Sequence, residues 1–413
     1  AYLELAVPVV SPDMHIPLVR NIELQLAGRF EHYSDVGSVA KPKIAAAWDI
    51  VRGLRLRGSY AEGFKAPNLE QINATMVTRS NTRTDWVRCE AQLRQPPFLA
   101  DGVTPNPLRI SSFANCSQGF ATTARRSGNP DLKPEQSKTW TVGVVLEPHF
   151  LDAAVGRMTF TADYWHVSQK GIVGLFGEGN ALINDYLLRV QGSSDPNVIR
   201  AAPTAEDNAL FAGTGLAPVG RVLYVNDKYV NLLPQEAAGV DLGFNWRLPD
   251  FGAGRISLNA NAAYLDKFFL EPSPPIQNLI AARAAGTINA GTNIADAGDL
   301  VRQNGKPRWK VTGSITWEKG PFQIGGFTQY TSDVQDTGLI DSAGAAWLIE
   351  DRMTFNLYGQ VTVGKRDNGG RYRLRIGVRN LTNESPPLSS NGFLGSLYSP
   401  YGRYWYANMR ASF

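Results

Sequence analysis

The chain has 413 residues, 43% of them apolar, and a formal net charge of +4. So slight a charge gives nucleic acid no footing, and no Lys/Arg run or helix-turn-helix spacing appears. No apolar run reaches the roughly 18 residues of a transmembrane helix, while 40 Gly and 25 Pro separate short alternating segments, the composition of many strands and turns.

In chain order, "NIELQLAGRF" sets Ile22, Leu24 and Leu26 against Glu23 and Gln25, and "GLRLRGSY" sets Leu54, Leu56 and Tyr60 against Arg55, Arg57 and Ser59. "KTWTVGVVLEP" sets Trp140, Val142, Val144 and Leu146 against Thr139 and Thr141. "RWKVTGSITWEKG" places Trp309, Val311, Ile315 and Trp317 on one face, and "MTFNLYGQVTV" does the same with Met353, Phe355, Leu357, Val361 and Val363. "RYRLRIGVRNL" alternates Leu374, Ile376 and Val378 with Arg373, Arg375 and Arg379. The closing stretch puts Trp405, Ala407, Met409, Ala411 and Phe413 opposite Tyr404, Tyr406, Asn408, Arg410 and Ser412. Period two means strands with two unlike faces.

These strands outrun the usual soluble length of about 5–6 residues. One face is loaded with Arg, Lys, Asn and Gln, and the other is apolar with aromatics near its ends. The fold class is therefore all-β: an antiparallel transmembrane β-barrel with lipid outside and a polar interior. Closure follows from the solvent, since every backbone N–H and C=O in hydrocarbon needs a partner.

About thirteen strands are expected, near 1–10, 19–34, 38–50, 53–66, 135–148, 157–170, 220–248, 254–269, 303–318, 321–335, 347–363, 370–384 and 400–413. The 220–248 stretch reads either as one long strand or as a hairpin in an outer loop, and the single strand preserves the parity. Short connections alternate with mostly long ones near 67–134, 171–219, 270–302, 336–346 and 385–399. The long set is expected to face outward and the last strand to end at the periplasm.

The sequence resembles the barrel of the TonB-dependent outer-membrane receptors at four places. "KPKIAAAWDIVRGLRLRGSYAEGFKAPNLEQI" (41–72) and "GNPDLKPEQSKTWTVGVVLEP" (128–148) are similar to two of the family's strand-and-loop motifs. "AAGVDLGFNWRLP" (237–249) resembles a third, and "RYRLRIGVRNLTNESPP" with "YSPYGRYWYANMRASF" resembles its closing hairpin. The resemblance implies a barrel of about 22 strands around a plugged lumen, an energy-coupling partner, TonB, acting through that plug, and a terminal Phe413 read by the barrel-assembly machinery. Thirteen strands, no plug motif and no signal-peptide pattern lead us to expect that residues 1–413 are the C-terminal part of the barrel domain, with the plug and first strands elsewhere in the same or another chain.

Site signals are sparse. No P-loop, nucleophile elbow or Ser/His/Asp spacing appears, so no enzyme, catalytic residue or cofactor is expected. His15, His32, His149 and His166 lack ligand spacing, and no metal site is expected. Cys89 and Cys116 share one outer loop and read as a disulfide in an oxidising compartment, with a metal site or a reactive thiol as the alternative. Inward-facing Arg55, Arg57, Arg373, Arg375 and Arg379 form either a path for an anionic substrate or partners for carboxylates on the plug and neighbouring strands. Trp86, Phe98, Phe113 and Phe120 in the long loop are candidates to hold a ligand, and loop packing accounts for them equally well. Active import of a large scarce nutrient (a siderophore, cobalamin, oligosaccharide or peptide) and a passive or structural barrel both stay open, the long loops favouring import.

Overall fold

A computed structural model describes residues 1–34, 37–112, 115–116, 118–151, 155–250, 252–288, 294, 297–340, 345–364, 371–390 and 392–412. Phe113 and Phe413 lie outside the described residues.

Thirteen long strands form one antiparallel sheet, each hydrogen-bonded to the next in chain order. They are β1 (Tyr2–Val10), β2 (Asn21–Tyr33), β3 (Gly37–Val51), β4 (Leu54–Lys65), β5 (Glu135–Leu146), β6 (Arg157–Lys170) and β7 (Gln235–Arg247). The second half comprises β8 (Arg255–Leu270), β9 (Trp309–Lys319), β10 (Phe322–Thr331), β11 (Arg352–Val363), β12 (Arg371–Arg379) and β13 (Tyr404–Ser412). The register carries the sequence alternation across the sheet. Leu5 lies opposite Leu26, Leu26 opposite Ile44, Ile44 opposite Tyr60 and Tyr60 opposite Trp140. Farther along, Leu258, Ile315, Gly326, Leu357, Val378 and Trp405 form a second row of partners. A one-residue slip at any strand would turn this apolar face inward, so the hydrophobic pattern fixes the register.

Aromatic belts bound that face. At the short-turn end, the indole N–H groups of Trp48, Trp246 and Trp317 donate to the carbonyls of Leu18, Val155 and Ala253 at 3.0, 2.7 and 2.9 Å. At the long-loop end, Trp140 stacks near Tyr164 and Tyr264 near Trp309, with centroids 5.3 and 4.7 Å apart. Trp309 and Trp317 are eight residues apart on β9, about 26 Å along the strand at roughly 3.3 Å per residue. Strand tilt shortens that to about 20 Å of height, comparable to an apolar band of about 25 Å. Trp48, Trp246 and Trp317 each present an apolar ring body to lipid and an N–H to a turn carbonyl.

The tight turns explain how neighbouring strands approach. Gly53, between β3 and β4, has φ +90°, and a Cβ there would lie 2.0 Å from the Glu147 carbonyl oxygen. Only glycine fits both the conformation and the approach.

The 220–248 expectation needs correction. Barrel strand β7 begins at Gln235, and Val222–Asn226 belongs to a separate four-stranded sheet in the outer loops. Its alternation is real, but Val222 and Val225 are buried against a loop core. The expected strands 321–335 and 347–363 also divide. Val334–Ile340 and Ala346–Ile349 pair with each other beyond the sheet, burying Val334 and Ile349 with Tyr398.

Candidate functional site: lumen face and outer loops

On the inward face, charge is organised strand to strand. Arg55 grips Asp49 of β3 through two bonds, Nε to Oδ1 at 2.5 Å and Nη2 to Oδ2 at 2.8 Å. Arg57 of β4 reaches over β5 to Asp163 of β6, with Nε–Oδ1 2.7 Å and Nη2–Oδ2 2.5 Å. Register places Gly143 between them, opposite both. A Cβ at Gly143 would lie 1.9 Å from Asp163 Oδ1, so the missing side chain leaves room for the bridge. The same device recurs near the end of the sheet, where Tyr358 lies over Gly325 and Tyr406 over Gly377, each ring within 2.7 Å of where a Cβ would be.

The other three arginines of the set sit on β12. Arg375 donates to Gln360 Oε1 from Nε and Nη2 at 3.0 and 2.7 Å, and its guanidinium lies 4.1 Å above the Tyr358 ring. Arg379 lies 5.7 and 5.6 Å from the ring centres of Tyr404 and Tyr406. Arg373 faces Arg410 across the β12–β13 pair. The five arginines are thus spread along the inner wall rather than gathered at one point.

Three long loops fold into one body at the far ends of β4–β9. Helix α1 (Trp86–Arg94) comes from the first loop, α2 (Glu178–Val190) and α3 (Ala205–Phe211) from the second, and α4 (Pro274–Ala284) from the third. Val87, Ala91, Ile183, Tyr186, Leu210, Phe211 and Leu279 share one core among them. A four-stranded sheet backs it, ordered Val198–Arg200, Val222–Asn226, Gly119–Arg126 and Val77–Thr84, with a parallel pair at its centre. Cys89 and Cys116 are disulfide-bonded, and Cys89 is wholly buried on α1. The bridge ties down the excursion between α1 and the Gly119–Arg126 strand, whose tip turns on Asp101. Asp101 accepts from the backbone N–H groups of Val103 and Thr104 at 3.0 and 2.9 Å.

This core decides where the candidate aromatics fall. Trp86 and Phe120 pack against it, so most of their ring area is engaged in folding. Phe98, 46% exposed at the tip of the cross-linked excursion, remains available to solvent. Phe176, Tyr186 and Phe211 are likewise core residues.

Buried charges in the loop body are matched. Arg200 donates to both oxygens of Asp85, at 2.7 and 2.9 Å, and to Asp185 at 3.0 Å. Sequence reading missed this cluster because its members lie up to 115 residues apart. Glu178, at the start of α2, accepts from Asn81 Nδ2 at 2.6 Å and Arg83 Nη2 at 2.8 Å. Burial pushes its carboxyl up, but the backbone N–H at the helix start, Arg83, Asn81 and Arg126 together hold it below the usual range. Asp227 accepts from Gly177 N at 3.0 Å, and burial raises its carboxyl despite Arg126 nearby. Burial and the neighbouring Glu90 carboxylate also push the Tyr186 phenol up. Among the described residues, no group of His, Cys, Asp and Glu has metal-binding geometry.

An antiparallel meander with an apolar outer face, two aromatic belts, a charged inner face and long folded loops at one end defines a transmembrane β-barrel of the outer-membrane class. The family described as "TonB dependent receptor-like, beta-barrel" matches residues 12–381, and the chain belongs to it. Among solved structures, the chain is similar to a variant of the ferric enterobactin receptor PfeA of Pseudomonas aeruginosa. That match has a TM-score of 0.56 and 14% identity, over 100% of this chain and 45% of that one. It is also similar to the siderophore receptor PirA of Acinetobacter baumannii (TM-score 0.54, 14% identity, 94% of this chain and 43% of that). The PirA of Pseudomonas aeruginosa gives 0.51 and 13%, with 100% of this chain and 48% of that. These likenesses show the fold, and the chain spans less than half the length of the receptors it matches. No curated protein sequence matches it.

Proposed function

We propose that the chain is the C-terminal part of the barrel of an outer-membrane active transporter that imports a large, scarce nutrient. The observation that carries this reading is the loop body: three loops share one core, and a disulfide cross-links the first of them. Passive diffusion needs no such structure, whereas capture benefits from loops ordered before the ligand arrives. A ferric siderophore heads the candidates, since the similar solved structures are siderophore receptors. Cobalamin, an oligosaccharide or a peptide is the alternative cargo.

In this reading the unpaired outer edges of β1 and β13 join further strands, because open edges are not tolerated in hydrocarbon. A plug fills the lumen and meets inner-wall cations such as Arg373, which has no ion-pair partner among the described residues. TonB supplies energy through the plug, and the assembly machinery reads Phe413. Phe98, held at the tip of the cross-linked excursion, contacts the nutrient. The test is uptake by cells with and without the gene, using labelled ferric siderophores, cobalamin, maltodextrins and oligopeptides in turn. One class should lose uptake in the deletion strain. Unaltered uptake of all, with altered leakage of small solutes, would favour a passive barrel.

A further inference from the structure

The side chain of Arg200 and the whole of Arg352 are almost inaccessible to solvent, and the two are treated differently. Arg200 is met by the carboxylates of Asp85 and Asp185. Arg352, 7% exposed at the outer end of β11, has no carboxylate in ion-pair contact among the described residues. Its Nη2 donates to the Glu384 backbone carbonyl at 2.7 Å, its guanidinium lies 5.7 Å from the Tyr398 ring centre, and its Nε has no hydrogen-bond partner among the described residues. The Tyr398 hydroxyl beside it, on a residue 5% exposed, is also without a hydrogen-bond partner among the described residues. The Glu384 carboxylate acts on Arg352 only through space, without an ion-pair contact, and buried donors ordinarily find acceptors.

Both residues line a cavity of about 210 Å³ on the inward face, between the outer ends of β10–β13 and the loop above them. Arg379, Gln329, Tyr401 and Tyr404 complete its polar wall, which holds two guanidinium groups and no carboxylate. The wall is held in place. Asn380, at φ 51°, has its backbone N–H on Asn356 Oδ1 at 2.9 Å, and its side chain clamps Glu384 through bonds of 2.8 Å to the carbonyl and from the N–H. That clamp sets the carbonyl that orients Arg352.

We propose that this cavity is an oxyanion site that takes a carboxylate, or a group of like shape and charge, from a soluble ligand. Arg352 supplies the buried charge and Arg379 the second cation. Guanidinium suits such a partner because its planar donors match two oxygens at once. The volume is below the roughly 300–1,000 Å³ of sites that enclose whole drug-sized ligands. The site therefore holds one acidic arm or a small acid, and it does so whether or not the barrel imports a nutrient.

Calorimetric titration of the purified full-length receptor tests this, with benzoate as the probe and benzamide as its neutral counterpart. Benzoate should bind and benzamide should not. Arg352→Met should weaken benzoate binding at least tenfold. Arg379→Met, at an exposed position where folding is not at stake, should weaken it several-fold, and Arg94→Met in the loop body should leave it unchanged. No benzoate binding, equal binding of benzamide, or binding indifferent to Arg379 would overturn the assignment.

Discussion

Gly143→Ala tests whether the Arg57–Asp163 bridge across β5 is a built feature of the inner wall. The added Cβ would stand 1.9 Å from Asp163 Oδ1, 2.7 Å from its Cγ and 3.0 Å from the Ala162 carbonyl oxygen. Asp163 must then swing away and release Arg57. The two side chains are 46% and 22% exposed, so solvent screens the bridge, and its loss costs about 0.5–1 kcal/mol. Displacing the carboxylate in a crowded wall adds about 1–2 kcal/mol, giving about 1.5–3 kcal/mol in all. In an Asp163→Ala background the obstruction is gone and only the 3.0 Å approach to Ala162 remains. There Gly143→Ala should cost under about 1 kcal/mol, a coupling of about 1–2 kcal/mol between the two sites. Denaturant unfolding of the full-length receptor in detergent, followed by tryptophan fluorescence, measures all four proteins. Equal cost of Gly143→Ala in both backgrounds would refute the steric argument.

Leu357→Arg, on the lipid face, should cost about 2–4 kcal/mol near the bilayer midplane, while Thr354→Arg, facing inward, should cost little; folding into lipid vesicles compares them, and equal costs would contradict the assigned faces. The Cys89→Ser/Cys116→Ser double variant should insert normally and keep its heat resistance on a gel, because the bridge lies in the loops. Its binding of the imported nutrient should weaken as about 3 kcal/mol of loop ordering is lost, and unchanged binding with a weakened barrel would reverse the assignment. Glu178 is held below its ordinary range in the folded loop body, so its contribution is present above about pH 4 and fades as pH falls through the lowered value. Glu178→Gln should speed amide exchange in α2 at pH 7 and make less difference in acid. Asp227 is raised by burial, so its neutral form is favoured: its contribution to stability is present below about pH 4 and lost as pH rises. Asp227→Asn should accordingly slow amide exchange around Gly177 at pH 7, and faster exchange would contradict the sign.

The barrel was legible because lipid imposes a simple pattern. Leu24 and Leu26 face one way and Glu23 and Gln25 the other, and no tertiary partner is needed to see it. Val222–Asn226 carries the same alternation for another reason, since its apolar face meets a loop core instead of lipid. Period alone does not name the solvent. Trp86 and Phe120 likewise look like ligand-binding aromatics in a long loop, yet they pack against a core drawn from three loops. The cysteine pairing was readable from compartment and loop membership. Neither the Arg57–Asp163 bridge, which spans 106 residues, nor the buried Arg352 beside Glu384 and Tyr398 was, because the first depends on register across three strands and the second on how a loop folds back over a strand end.

The central claim is energy-coupled import through this barrel, and its most direct test is uptake of the labelled nutrient in cells with and without TonB. The receptor must be present at equal levels in both, and the nutrient is the one whose uptake the gene deletion abolishes. Uptake that falls to the level of the receptor deletion when TonB is absent, with surface binding retained, is the expected result. Uptake that continues at an undiminished rate without TonB would contradict the account and make the chain part of a passive pore.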